Sequence, residues 1–175
     1  MSYVLAVDPS LRSTGVALFH DGKLVAAARL GGFDTGGLGK RCYRVAHSIR
    51  LWWHEHQPPV PCVPTLVFEW PQIYRASKSK GDPNDLVPLA GIGMALAGML
   101  DVDPVTPTPA EWAGQLKKFT NGDVGRSPRA IRISSRLTQN ELCHWQNQHD
   151  VIDAIGLGLW YLGRLAPKRV FPGAT

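Results

Sequence analysis

"AVDPSLRSTGVALFHDG", residues 6–22, is the stretch whose reading decides the fold. It closes an apolar run, "YVLAVD" at 3–8, with a single carboxylate, crosses a Pro-Ser turn and enters a second apolar run at 15–20. Asp21-Gly22 then turns the chain into a third run at 23–30, a strong two-residue hairpin signal. Asp8 thus stands at the tip of a buried strand. An acid there either begins an ordinary turn or is one of several gathered to hold metal.

Working outward, glycines between 31 and 39 form a loop before an amphipathic helix at about 40–56. Cys42, Val45, Ala46, Ile49, Trp52 and Trp53 recur in it at helical spacing, which puts Cys42 on the core face. "QPPVPCVP" (57–64) stops that helix, and "TLVFEW" (65–70) is a fourth strand ending at Glu69. The apolar helix at 85–100 carries Gly91, Gly93, Ala95, Ala97 and Gly98, small enough to let a sheet or a second subunit come close. A short strand is expected at 104–107. Thr108, Pro109 and Glu111 then give an N-cap, a first-position proline and a capping-box acid, and Ser127-Pro128 starts another helix in the same way. The last helix runs over roughly 148–163. Three leading strands followed by alternating helices and strands predict an α/β fold with a mixed sheet. With no internal repeat and no long linker, residues 1–175 read as one domain.

Composition agrees with that reading. A chain of 175 residues with 44% hydrophobic content suits a single globular domain. The N-terminus lacks the basic-then-apolar pattern of a signal peptide. The longest apolar run, "LAGIGMALAGML", falls short of the ~20 residues a bilayer requires. A soluble, cytoplasmic protein is expected. Three cysteines without a CxxC argue against a disulfide framework and a zinc ribbon. His54-Glu55-His56 with Cys62 reads better as the end of the amphipathic helix than as a zinc cluster. The net charge of +5 favours a polyanionic partner. Its distribution is more telling: residues 117–136 hold two Lys and four Arg against one Asp, and "RASKSK" follows Glu69 closely. Basic loops beside strand-end acids suggest phosphate binding.

Four acids carry the chemistry. Asp8 and Glu69 each end an apolar strand, where loops begin and sites are commonly built. Asp150 and Asp153, three residues apart, share one face of the last helix near its N-terminus. Val151, Ile152, Ile155, Leu159 and Leu162 trace the stripe that presses this helix onto the sheet. The plainer explanation of the pair is that acids favour the positive end of a helix dipole, by ~0.3–1 kcal/mol each. Four clustered carboxylates would repel one another and favour protonation. A divalent cation reverses that cost, and hard oxygen ligands suit Mg²⁺ or Mn²⁺.

Taken together, "VLAVDPSLRSTGVAL", "LVFEW" and "HDVIDAIGLGL" resemble the three acidic motifs of the RuvC-like Holliday-junction resolvases, in the ribonuclease H-like superfamily. Their order and separations, 61 residues from Asp8 to Glu69 and 81 from Glu69 to Asp150, are similar to that family's. The resemblance implies a ribonuclease H-like mixed five-stranded sheet flanked by helices. It implies an Mg²⁺-dependent endodeoxyribonuclease acting in DNA recombination and repair, with two metal ions per active site and Mn²⁺ as a substitute. Asp8, Glu69, Asp150 and Asp153 would be the catalytic, metal-binding acids. A homodimer, formed through the helix at 85–100, would nick strands of like polarity across a four-way junction. The compact length suits a phage-type member, in an infected host's cytoplasm, as well as a bacterial one.

The chain also departs from that pattern. Where well-known members carry an aromatic residue three positions after the strand glutamate, this sequence has Gln72, with Trp70 and Tyr74 nearby. Tyr74 is the candidate for stacking on a base. Arg75, Lys78, Lys80, Lys117, Lys118, Arg126 and Arg129 are the candidate DNA contacts. His149 is read as a cap or surface residue. The first motif also resembles the phosphate motif of sugar kinases and actin-like ATPases, but 175 residues leave no space for their second lobe. Closer alternatives are a nuclease acting on RNA–DNA hybrid or on branched or flap DNA, and a junction-binding module without chemistry.

Overall fold

The computed structural model describes residues 2–31, 35–58, 62–71, 86–114 and 127–165. Strands β1 (Tyr3–Asp8), β2 (Ser13–His20) and β3 (Lys23–Gly31) form an antiparallel meander, and β4 (Thr65–Phe68) pairs parallel to β1. The order across the sheet is β3-β2-β1-β4. The β2–β3 turn is as expected: Asp21 (φ 46°) and Gly22 (φ 79°) are both left-handed, the geometry whose twist matches a two-residue hairpin. Asp21 Oδ1 also accepts from the Ser2 N–H at 2.8 Å, which ties down the start of the chain.

Side chains alternate along each strand, and here both faces of the sheet are covered. Leu5, Val7, Val16, Leu18, Leu66 and Phe68 meet Val45, Ala46, Ile49, Trp52 and Trp53 of α1 (Leu38–His56) and Ile92 and Leu96 of α2 (Val87–Leu100). Cys42 lies at the margin of this layer, as its helical spacing predicts, with its thiol 3.6 Å from the Pro88 carbonyl. Val4, Ala6, Ala17, Phe19 and Val67 meet the opposite layer. It is built from α3 (Pro109–Trp112), α4 (Pro128–Ser134) and α5 (His149–Tyr161). Both proline-started helices begin as the sequence indicates. The Glu111 carboxylate accepts from the Thr108 N–H at 2.6 Å, and Ser127 Oγ accepts from the Ala130 N–H at 3.1 Å.

One expectation is met only in part. Among the described residues the sheet has four strands, and the segment expected as a fifth, 104–107, makes a single parallel bridge from Val105 to Val67. Val105 donates to the Leu66 carbonyl (2.8 Å) and accepts from Phe68 N–H (3.1 Å), and the Pro107 carbonyl accepts from Trp70 N–H (2.8 Å). Pro104 and Pro107 carry no N–H, so a ladder cannot extend through them. No helix among the described residues is long and apolar enough to cross a membrane.

Candidate active site

The backbone brings three of the four acids to one end of the sheet. Asp8, the last residue of β1, is paired across the ladder with Gly15 of β2. The Glu69 N–H donates to the Val7 carbonyl at 3.2 Å, so Glu69 follows β4 directly beside the end of β1. Gly15 lies against the first turn of α5: a Cβ built there would fall inside the Asp150 carbonyl. Only glycine lets the helix N-terminus seat this close to the strand, and the seating sets Asp150 next to the Asp8–Gly15 pair. Thr14 closes the intervening turn, donating to the Ser10 carbonyl (2.7 Å) and accepting from the Ser10 N–H (3.0 Å).

Each acid is engaged by its own surroundings. Asp150 Oδ2 accepts from the Ser13 hydroxyl, which in turn accepts from Arg29 Nε. The Arg29 guanidinium lies 3.7 Å from the same carboxylate oxygen, with its side chain 53% exposed at the rim. Glu69 Oε2 accepts from the Trp112 indole N–H at 2.6 Å. Asp153, buried at 1% exposure one turn along α5, is 2.9 Å from Arg129 Nη1. The Arg129 guanidinium lies over the Trp112 ring, 5.1 Å from its centroid, within cation–π range. Asp150 and Asp153, adjacent along α5, thus turn to different cations on different elements.

These placements bear on a metal ion in two ways. The donor set is all carboxylate, the chemistry of a hard divalent site, and the backbone puts Asp8, Glu69 and Asp150 at one sheet end. As placed, however, no three His, Cys, Asp or Glu side chains among the described residues are grouped to hold an ion. The charge of Asp150 and Asp153 is met by Arg29 and Arg129.

Of the expected DNA contacts, Tyr74, Arg75, Lys78, Lys80, Lys117, Lys118 and Arg126 lie outside the described residues. Arg129 is buried against Asp153 and Trp112, so it is not presented on an exposed face. Trp70 is exposed beside Glu69. His149 opens α5 and is half-buried. Ser13, expected with Thr14 only to close the turn, bonds Asp150 instead, and Arg29 and Trp112 had no expected role. Arg29 had a visible signal, a lone cation in the small-residue run "AAARLGG". Trp112 had none, because its indole meets Glu69 across 43 residues of sequence.

The α/β architecture, with its antiparallel meander and parallel β4, is that of RuvC. The structure of Thermus thermophilus RuvC in complex with a Holliday junction substrate is 15% identical. It covers 91% of this chain and 91% of its own, with a TM-score of 0.62. A further Thermus thermophilus RuvC structure, 14% identical, covers 90% of this chain and 91% of its own at a TM-score of 0.58. No protein-family model matches the chain, and no curated protein does.

Proposed function

We propose that residues 1–175 act as one structure-selective endonuclease domain that resolves four-way DNA junctions by paired, symmetric nicks. The observation that carries this reading is that the backbone puts Asp8, Glu69 and Asp150 at one end of the sheet, with Asp153 a turn along α5. It occurs in a fold shared with a RuvC solved on a Holliday junction. Mg²⁺ is the assigned cofactor, two ions per site, with Mn²⁺ as substitute. Held by Asp8, Glu69, Asp150 and Asp153, such ions would supply Lewis-acid activation of a water and charge stabilisation of the leaving oxygen.

The four acids supply the ligands in this reading. Ser13 holds Asp150 in place, and Arg29, half exposed beside it, meets a substrate phosphate. Tyr74, Arg75, Lys78, Lys80, Lys117, Lys118 and Arg126 are assigned to DNA. Dimerisation is assigned to α2, whose Val87 and Met94 are exposed while Gly93 packs against Phe68. Two sites related by a twofold axis match a symmetric four-way substrate. A second reading, a junction-binding module without chemistry, draws on the engagement of Asp150 and Asp153 by arginines.

The test is to incubate the purified protein and Mg²⁺ with an end-labelled immobile four-way junction, a linear duplex, a flap and an RNA–DNA hybrid. Paired symmetric nicks confined to the junction are expected. Cleavage mainly of the hybrid or flap overturns the substrate. Tight junction binding without cleavage under any divalent ion moves the chain to the second reading.

A further inference from the structure

Two of the four acids are joined by a bridge of side chains that their sequence spacing does not require. Glu69 accepts from the Trp112 N–H at 2.6 Å, Arg129 lies over the Trp112 ring at 5.1 Å, and Arg129 reaches Asp153 at 2.9 Å. Every member of this chain except Glu69 is at most 8% exposed. We infer that Trp112 and Arg129 are positioning residues that set the Glu69 and Asp153 carboxylates relative to one another. This rests on the nuclease reading for what those carboxylates then do.

The local fold places the bridge with little freedom. Trp112 ends the four-residue α3, whose start is fixed by Pro109 and by the bond from the Thr108 N–H to Glu111. A Cβ on Gly156 of α5 would lie 2.6 Å from the Trp112 ring and 2.7 Å from Ile133 of α4. The missing side chain is what lets Trp112 and α4 seat against α5. Arg129 sits in the first turn of α4, begun by the Ser127 cap. The indole therefore stands between β4 and α5, with its N–H toward the sheet-end acid and its face toward the helix acid's cation.

The chemistry of each link suits positioning. A carboxylate as deeply buried as Asp153 needs a charge partner, and Arg129 meets it at Oδ1. A guanidinium buried over an indole ring has little room to move, so it fixes the carboxylate rather than following it. An indole N–H is a donor only and is fixed in the ring plane, so it sets the place of the Glu69 Oε2 that it meets. Partners of this kind behind metal ligands are typically worth about 10–100-fold in ion affinity or activity.

The test compares wild type with Trp112→Phe, which keeps an aromatic ring and removes the N–H, and with Arg129→Lys, which keeps the charge and removes the planar stack. Mn²⁺ binding to the free protein is measured by electron paramagnetic resonance. Junction affinity and cleavage rate are measured separately, well below each variant's unfolding temperature. Both variants should bind Mn²⁺ about 10-fold or more weakly and lower kcat by a similar factor, with junction affinity unchanged. A merely structural bridge would lower the unfolding temperature and leave Mn²⁺ affinity and kcat at wild-type values, which overturns the inference alone. Wild type that neither binds Mn²⁺ nor cleaves any of the four substrates overturns the nuclease reading and the inference with it. If Arg129→Lys fails to fold, Trp112→Phe decides by the same readouts.

Discussion

Two arginine–carboxylate pairs, each with a buried acid, are built to different plans. Glu141, in the short 3₁₀ helix Glu141–His144, accepts from the N–H groups of Leu24 and Thr138 and from the Thr138 hydroxyl, each at 2.8 Å. It also takes Arg164 Nη1 at 2.6 Å and Nη2 at 2.9 Å. Arg164 spends its remaining reach on the carbonyls of Gly22 and Arg136. That pair closes on itself and on backbone, stitching the β2–β3 turn to the end of α5. The Arg129–Asp153 pair instead opens sideways, through Trp112, onto a second acid at the sheet end. The first arrangement secures the fold; the second spends burial on the relative placement of two carboxylates.

The sharpest way to break this contrast is to neutralise one acid of each pair. Asp153→Asn should retain junction binding and lose Mg²⁺-dependent cleavage by about a thousandfold, the scale of several kcal/mol of lost charge stabilisation. Single-turnover nicking of the labelled junction measures it, and an unchanged rate removes Asp153 from the site. Glu141→Gln should do the reverse. It leaves Arg164, a quarter exposed, short of its anion and costs about 1.5–3 kcal/mol in urea unfolding, with nicking per folded molecule unchanged.

The pH response sharpens the same contrast. Burial pushes the Glu141 carboxyl up, but the Arg164 guanidinium and the N–H groups of Thr138 and Leu24 outweigh it and bring its pKa down to about 2. Its folded-state pKa lies below the unfolded value of about 4.3. Its stabilisation is therefore complete above that value and is lost as pH falls toward 2. Wild type should lose stability over that window in urea titrations, and Glu141→Gln should lose less.

Smaller effects belong to the rim. Arg29→Ala should slow cleavage by roughly tenfold, the worth of one charge-assisted bond. It should also reduce the slope of log affinity against log salt by about one phosphate contact. A salt slope equal to that of wild type would leave Arg29 as a partner of Asp150 alone.

Much of this architecture could be read from local chemistry. The Asp21-Gly22 turn, the proline-started helices and the core stripe of α1 are short-range signals, and each appears where its residues dictate. The expected fifth strand is reduced to one bridge because Val105 and Thr106 look strand-like while the prolines beside them withhold the donors a ladder needs. At the site, the strand-end places of Asp8 and Glu69 and the helical place of Asp150 and Asp153 were legible from apolar patterning. The partners were not. Arg29 reaches Asp150 across 121 residues of sequence, and Arg129, expected as a DNA contact, turns inward to Asp153. Charge composition tells how many cations a segment holds, and tertiary packing alone decides which of them faces the core.

The account rests on the sheet-end acids forming a divalent-cation site, and anomalous diffraction from crystals grown with Mn²⁺ addresses that most directly. The expected result is Mn²⁺ within coordination distance, about 2–2.5 Å, of Asp8, Glu69 and Asp150 oxygens, with Arg29 drawn off Asp150. Crystals with Mn²⁺ at millimolar concentration and no anomalous density at those three residues, Arg29 still against Asp150, would contradict it.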